Sequence, residues 1–278
     1  MTVDDPARRL ADALSRRFGE DIPVTADGPG LEALASIAAH CTHRRWSPRS
    51  VEPSTMRLLL ACALSAPSKS DLQQADIVEV RDPTRRAALA GLLPSLPWFN
   101  DAPSILVFCG NGRRLRQCFE RRGMPFTNEH LDSFFNATVD ASLVLMNSIR
   151  AAAALGLVCC PISILRNHPD EVAEILELPR HVFPVAGLCI GYPVLEGRVV
   201  PRLPLSLTCH VDRFDDSDSE AQIASYDQRR LAIEAHAARV AGRIEPTTPW
   251  SMAKTDQYAL PQRDDWGRFV RDRGFGTD

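Results

Sequence analysis

Leu178-Pro179-Arg180-His181-Val182-Phe183-Pro184-Val185-Ala186-Gly187-Leu188-Cys189-Ile190-Gly191-Tyr192-Pro193 is the stretch whose pattern decides the architecture. From Val182 to Gly191 it carries no charge, and Val185 to Ile190 is apolar at both alternate sets of positions. A strand sends successive side chains to opposite faces, so this run predicts a strand covered on both faces.

Working outward, Leu157 to Ile164 reads as a second buried strand and loop, and Asp170 to Leu176 as a short amphipathic helix. Leu131 to Leu155 is apolar nearly all round, with Phe134, Phe135, Val139, Leu143 and Met146, which predicts a helix in the centre of the core that Gly156 ends. Strand-like runs at Ile77–Val80 and Ser104–Cys109 frame a helix from Pro83 to Leu93. Pro53 to Leu64 predicts a helix that stops before Pro67, with a loop from Ala66 to Asp71. Leu10, Leu14 and Phe18, then Leu31, Leu34 and Ile37, mark a helical leader broken at Asp27-Gly28-Pro29-Gly30. Beyond Leu205 the chain turns polar, with an acidic run from Asp212 to Glu220, a charged helix from Tyr226 to Arg243 and a tail containing Pro and Trp. The alternation of helices and strands predicts an α/β or α+β sheet around a buried helix. The expected organisation is a leader over 1–40, a core over 41–205 and an arm over 206–278.

The chain has 278 residues and is 45% hydrophobic, enough for a substantial core. A net charge of -3 with dispersed Lys and Arg leaves no basic field for nucleic acid. Met1 to Arg9 lacks the apolar run of a secretory signal. Ala137 to Cys160 contains Asp140, Asn147 and Arg150, which reads as core and not membrane. The eight cysteines lie mostly in apolar segments without a C-x-x-C, and Cys159-Cys160 has no His at ligand spacing. They are expected to be packing thiols in a reducing cytoplasm, with no metal. His130, His168, His181, His210 and His236 form no triad pattern and are expected at the surface.

Four separated segments carry candidate chemistry. The first, Thr42-His43-Arg44-Arg45-Trp46-Ser47 with Arg49 beyond it, is basic, and a phosphate dianion needs several charge-assisted donors of this kind. Ala66-Pro67-Ser68-Lys69-Ser70-Asp71-Leu72-Gln73 gathers hydroxyls, a carboxylate and a carboxamide, able to meet a ligand edge with alternating donors and acceptors. The third is Gly156 to Asn167, centred on Pro161-Ile162-Ser163-Ile164, and the fourth is Val200-Pro201-Arg202-Leu203-Pro204. In this order, and with the Leu178–Pro193 strand between the last two, they resemble the nitroreductase family of FMN enzymes. The likeness is greatest to its larger members, the NADPH-linked oxygen-insensitive nitroreductases and the flavin reductase of luminous bacteria.

The resemblance implies a nitroreductase-like α/β (α+β) fold, with a mixed central sheet flanked by helices, a long buried central helix and an extended C-terminal arm. FMN is the implied cofactor and NAD(P)H the co-substrate, NADPH favoured. His43, Arg44, Arg45, Ser47 and Arg202 are implied at the phosphate and pyrimidine edge, Ser68, Ser70, Asp71 and Gln73 at the ribityl chain and ring edge, and Pro161, Ile162, Ser163 and Ile164 along the flavin with a backbone N–H toward N5. The family's Asn stands here as Asp71 and its two turn glycines as Ser163 and Ile164. Arg45 or Arg49 is the expected cation at flavin N1/O2. Trp98 and Phe99 line the flavin or pack in the core, and Asn167 is expected to cap a helix. Arg229, Arg230, Arg239, Arg243 or Lys254 would meet the NADPH 2′-phosphate. The implied activity is ping-pong two-electron reduction of nitroaromatics, quinones or related small acceptors, in a homodimer with FMN at the interface and the arm around the partner. The departures at Ser47, Asp71, Ser163 and Ile164 keep open a different flavin reaction, such as dehalogenation, tailoring oxidation or flavin fragmentation, or a non-enzymatic binding protein.

Overall fold

The computed structural model describes residues 5–25 and 27–278. Residues 1–4, which open both the Met1–Arg9 stretch and the leader, and Ala26 lie outside the described residues. The helices are α1 (Pro6–Phe18), α2 (Gly30–Ala38), α3 (Pro53–Leu64), α4 (Pro83–Gly91), α5 (Arg113–Arg121), α6 (Leu131–Ala154), α7 (Pro169–Ile175), α8 (Leu205–Thr208), α9 (Ser219–Val240), α10 (Trp250–Gln257) and α11 (Trp266–Asp272). The strands are β1 (Ala75–Glu79), β2 (Ser104–Asn111), β3 (Val158–Ile162) and β4 (Val182–Gly191). By contact the chain forms two compact units. One holds the residues up to Cys41 with Arg198–Gln262, the other Thr42–Gly197 with Arg263–Asp278.

The second unit contains the sheet, in the order β1-β2-β4-β3. Every described pairing is antiparallel, which corrects the expected mixed sheet. β2 and β4 are buried along their whole length. Ile105, Val107 and Cys109 enter a core with Leu89, Leu165 and Val172, while Leu106 and Phe108 enter another with Met56, Leu59 and Val144. Unbroken apolar runs usually accompany parallel sheets because those are covered on both faces. Here helices cover both faces of an antiparallel sheet, so the same pattern arises.

α3 occupies the predicted span, with Pro53 in its first turn, where the missing N–H has no intrahelical use. α6 is the predicted long helix, yet only one face of it is buried, through Ala137, Asp140, Ala141, Val144 and Ser148. Leu131, Phe135, Val139, Leu143 and Met146 form an exposed stripe at helical spacing, with Phe135 61% exposed. Burial on all sides is therefore corrected for the single chain. α11 and the tail return Phe269, Val270 and Phe275 to a cluster with Phe183 and Ala137.

In the first unit, α1 and α2 meet through Leu10, Ala13, Ala35 and Ala38. Leu34 and Ile37, which marked the helical spacing, are exposed, and the small alanines make the close contact. α9 buries only Tyr226, Asp227 and Ala238. Among the described residues no helix is long and apolar enough to cross a membrane.

Candidate functional site

The first and third segments meet at one end of the sheet. His43 N donates to Cys159 O at 3.0 Å and Ser47 N to Tyr192 O at 2.9 Å. Trp46 Nε1 donates to Val158 O at 3.3 Å, and Trp46 is bridged to Pro193. Trp46 is buried beside Trp98, with ring centroids 5.8 Å apart, and the Arg44 guanidinium lies 5.9 Å from the Trp98 ring. Arg44 thus shares the Trp46 side, and in an extended segment the exposed Arg45 projects from the opposite one. Arg49 stacks on Tyr192 at 4.1 Å. Trp98 packs against Trp46 and Phe99 is core, so neither is a free aromatic plate.

The turn after β3 exposes Pro161 and Ser163, half-buries Ile164 and anchors itself with buried Ile162. Ser163 has φ -103, and Ile164 has no positive φ. Neither replacement of a family glycine needs a glycine-only conformation, so the backbone donors keep ordinary geometry. Ile164 opens a 3₁₀ turn, Ile164–Asn167, whose first N–H groups have no acceptor within it.

Asn167 does not cap α7; His168 holds that position, without a side-chain cap bond. Asn167 Oδ1 instead accepts from Arg263 Nε at 2.6 Å. Arg263 Nη2 reaches Ser163 Oγ at 3.5 Å, and Trp266 Nε1 donates to Arg166 O at 2.7 Å. Phe134, Arg166, Phe183, Arg263 and Trp266 line a cleft of about 360 Å³ behind this turn. Arg263 escaped the sequence reading because its partners lie about a hundred residues away, with no local pattern to announce them.

The second segment stands elsewhere. Ser70, Asp71 and Gln73 all have left-handed φ, 51°, 56° and 51°. That conformation costs about 1–2 kcal/mol for each non-glycine residue. Asp140 of α6, 1% exposed, accepts from Ser68 Oγ at 2.6 Å, Lys69 N at 3.0 Å and Gln74 N at 3.0 Å. Ser68 Oγ also accepts from Gln73 N at 2.6 Å, so its proton and one lone pair are committed to the loop. Arg114 donates to Gln73 O and, at 2.6 Å, to Asp76 Oδ1. Ser68, Asp71, Gln73, Gln74, Arg114 and Asp140 line a cleft of about 650 Å³. Gln74 Nε2 is buried there without a partner, and Asp71 adds an acceptor. This mixed set fits a ligand whose edge alternates acceptors and donors, as the flavin pyrimidine edge and ribityl hydroxyls do.

The loop leads into Ala75, opposite Gly110, which pairs with Phe183 near the start of β4. The first segment sits by Val158, opposite Gly191 at the end of β4. Phe183 to Gly191 spans ~26 Å at ~3.3 Å per residue. One chain therefore sets the His43–Ser47 segment beside β3, the strand that ends in the Pro161–Ile164 turn, and keeps Ser68, Ser70, Asp71 and Gln73 at the far end of β4 from that segment.

Arg202 belongs to the first unit, where its N donates to Arg17 O at 2.7 Å and its O accepts from Arg229 Nη2 at 2.8 Å. Its guanidinium is exposed. Of the cations considered for NADPH, Arg230 is paired with Glu234 and Arg239 with Glu245, while Lys254 donates to Gln257.

Burial holds the thiols protonated. Cys109 and Cys159 are pushed up to about 12, and Cys160 and Cys189 are raised, Arg44 only partly offsetting burial at Cys160. Cys62, Cys118 and Cys209, by contrast, are exposed and do not pack. His130, His168, His181 and His210 are half-buried, while His236 is exposed as expected, and burial followed by Arg116 lowers the His181 pKa.

The family model described as Nitroreductase family matches residues 37–192, and its C-terminal domain model matches 201–278. An FMN reductase (NAD(P)H) of Bacillus subtilis (strain 168) is 32% identical over 202 residues, 71% of this chain and 81% of the relative. An oxygen-insensitive NADPH nitroreductase of Salmonella typhimurium is 30% identical over 203 residues, 72% of this chain and 80% of the relative. The solved structure of B. megaterium NfrA2 superposes with a TM-score of 0.82 at 28% identity, covering 88% of this chain and 98% of that one. Matched by the family model over more than half its length, the chain belongs to the nitroreductase family.

Proposed function

We propose that this protein is an FMN-dependent NAD(P)H oxidoreductase that works as a homodimer, each flavin lying between the Pro161–Ile164 turn of one chain and the Ser68–Gln73 loop of its partner. The observation that carries the reading is the separation, within one chain, of the His43–Ser47 segment at the Gly191 end of β4 from the Ser68–Gln73 loop at its Phe183 end, with the Pro161–Ile164 turn across the sheet on β3, beyond β2 and β4 from the β1 that follows the loop. A second copy is the economical way to bring both to one ring system. The exposed stripe Leu131, Phe135, Val139, Leu143 and Met146 supplies an apolar surface for that contact. Val211, Phe214 and Leu260, exposed in the expected arm, support its contact with the partner.

Bound FMN would supply the redox chemistry, accepting a hydride from reduced nicotinamide and passing two electrons to a small acceptor. The chain's own part is to bind and orient. Arg45 is the exposed cation suited to the electron-rich pyrimidine edge, since Arg49 is stacked on Tyr192. Backbone N–H groups at Ser163 and Ile164 would line the ring. Ser68 organises its loop, while Ser70, Asp71 and Gln73 meet the ligand. Turnover is ping-pong, with nicotinamide and acceptor using the same face in succession. Nitroaromatics, quinones or related small molecules are the expected acceptors and NADPH the favoured donor, and one relative is named an oxygen-insensitive NADPH nitroreductase. Eight free cysteines fit a reducing cytoplasm.

The test is an absorption spectrum of the protein as isolated, followed by anaerobic NADPH and NADH. Flavin bands that bleach on addition support the reading. A colourless protein that takes up no added FMN overturns it.

A further inference from the structure

We infer that Asp140 is the positioning residue of the flavin-facing loop, and that its buried carboxylate fixes the geometry in which Ser70, Asp71 and Gln73 are presented. The inference rests on the reading of the site given above and deepens it. Asp140 sits mid-helix in α6 at 1% exposure, and it accepts from three neutral donors: Ser68 Oγ, Lys69 N and Gln74 N. A carboxylate is acceptor-only, with room for about four such bonds, and a buried one is tolerated only when these are made. Through Ser68 Oγ the same network reaches Gln73 N. Residues 68, 69, 73 and 74 are thereby pinned to one side chain, and the span between the pins, Ser70 to Leu72, is held off the helix. That span and its border contain the three left-handed residues, Ser70, Asp71 and Gln73. None is glycine, so the shape is costly for the loop itself, and its own short-range bonds, such as Leu72 N to Lys69 O at 3.0 Å and Gln73 Nε2 to Asp71 Oδ1 at 3.1 Å, are joined by those to Asp140. Asp140 therefore acts on the cofactor through the loop, without being one of the groups assigned to touch it.

Asp140→Asn tests this, because the amide keeps the volume but turns one acceptor oxygen into a donor that faces donors. Ile149→Val on the same helix is the control, a buried change remote from the loop that mildly lowers stability. In flavin-free protein, hydrogen exchange at the Lys69, Gln73 and Gln74 amides is expected to quicken at least ~10-fold in Asp140→Asn and not in Ile149→Val. The FMN dissociation constant, from fluorescence titration, is expected to rise at least ~10-fold in the first and to stay put in the second. Adding Ser68→Ala to Asp140→Asn is expected to cost less flavin affinity than the two single losses together, since both break one network. Unchanged exchange and unchanged FMN affinity in Asp140→Asn overturn the inference alone. So does equal flavin loss in Ile149→Val, which would make the role one of stability. A wild-type protein that takes up no FMN overturns the reading of the site and this inference with it.

Discussion

Cys109 and Cys159 show what burial does to a single side chain. Each thiol is pushed up to about 12 from an ordinary 9.0, with desolvation the largest cause in both. Raised folded-state values mean that the unfolded chain gives up protons first, above pH 9, while the native protein keeps them until about 12. Stability is then fully present below pH 9 and falls as pH rises through that window, by up to ~1.4 kcal/mol per pH unit for each thiol. Urea titrations at pH 8 to 11 are expected to show this decline and a shallower one in Cys159→Ala; equal slopes would remove the explanation. At this scale the sequence was informative about residue type and silent about partners. Ser68 reads as a loop hydroxyl, but its acceptor, Asp140, is 72 positions away. Asn167 reads as a cap, and only the returning C-terminus reveals its bond to Arg263.

α6 carries the main lesson at the level of elements. Its apolar residues announced a central helix, and the inner face does pack on α3 and the sheet through Val144, Ile149 and Ala152. The outer stripe has the same composition but no cover within the chain. Periodicity distinguishes faces of a helix, and it cannot tell a face covered by this chain from one awaiting another. If the stripe is a dimer contact, Phe135→Glu should leave the circular dichroism of the flavin-free protein intact, because the side chain is 61% exposed. It should also yield a monomer by light scattering, with flavin lost. A dimer that retains its flavin would rule out this surface. α3 and β4 were legible almost to their boundaries, since proline and apolar runs act locally.

For the whole molecule, the decisive arrangement is that the segment of Arg45 and the loop of Asp71 lie at opposite ends of β4. If two copies share each flavin site as proposed, complementation follows. Arg45→Ala and Asp71→Ala each spoil both sites of their own dimer, yet a mixed dimer has one intact site and one doubly altered. Refolding equal amounts together is expected to restore about a quarter of wild-type NADPH-dependent activity, by random pairing in a two-fold assembly. Recovery no greater than the parents show would mean that both segments serve the flavin from the same chain. The sequence by itself determined that helices would cover both faces of a central sheet, that a long apolar helix would lie against it, and which short segments hold polar chemistry. These are local consequences of side-chain period and of proline and glycine placement. Tertiary structure alone decided that the strands run antiparallel, that one side of α6 stays bare, and that Asp140 grips a loop far along the chain. Strand direction, strand order and buried hydrogen-bond partners depend on how distant segments close on one another, and no local pattern encodes that closure.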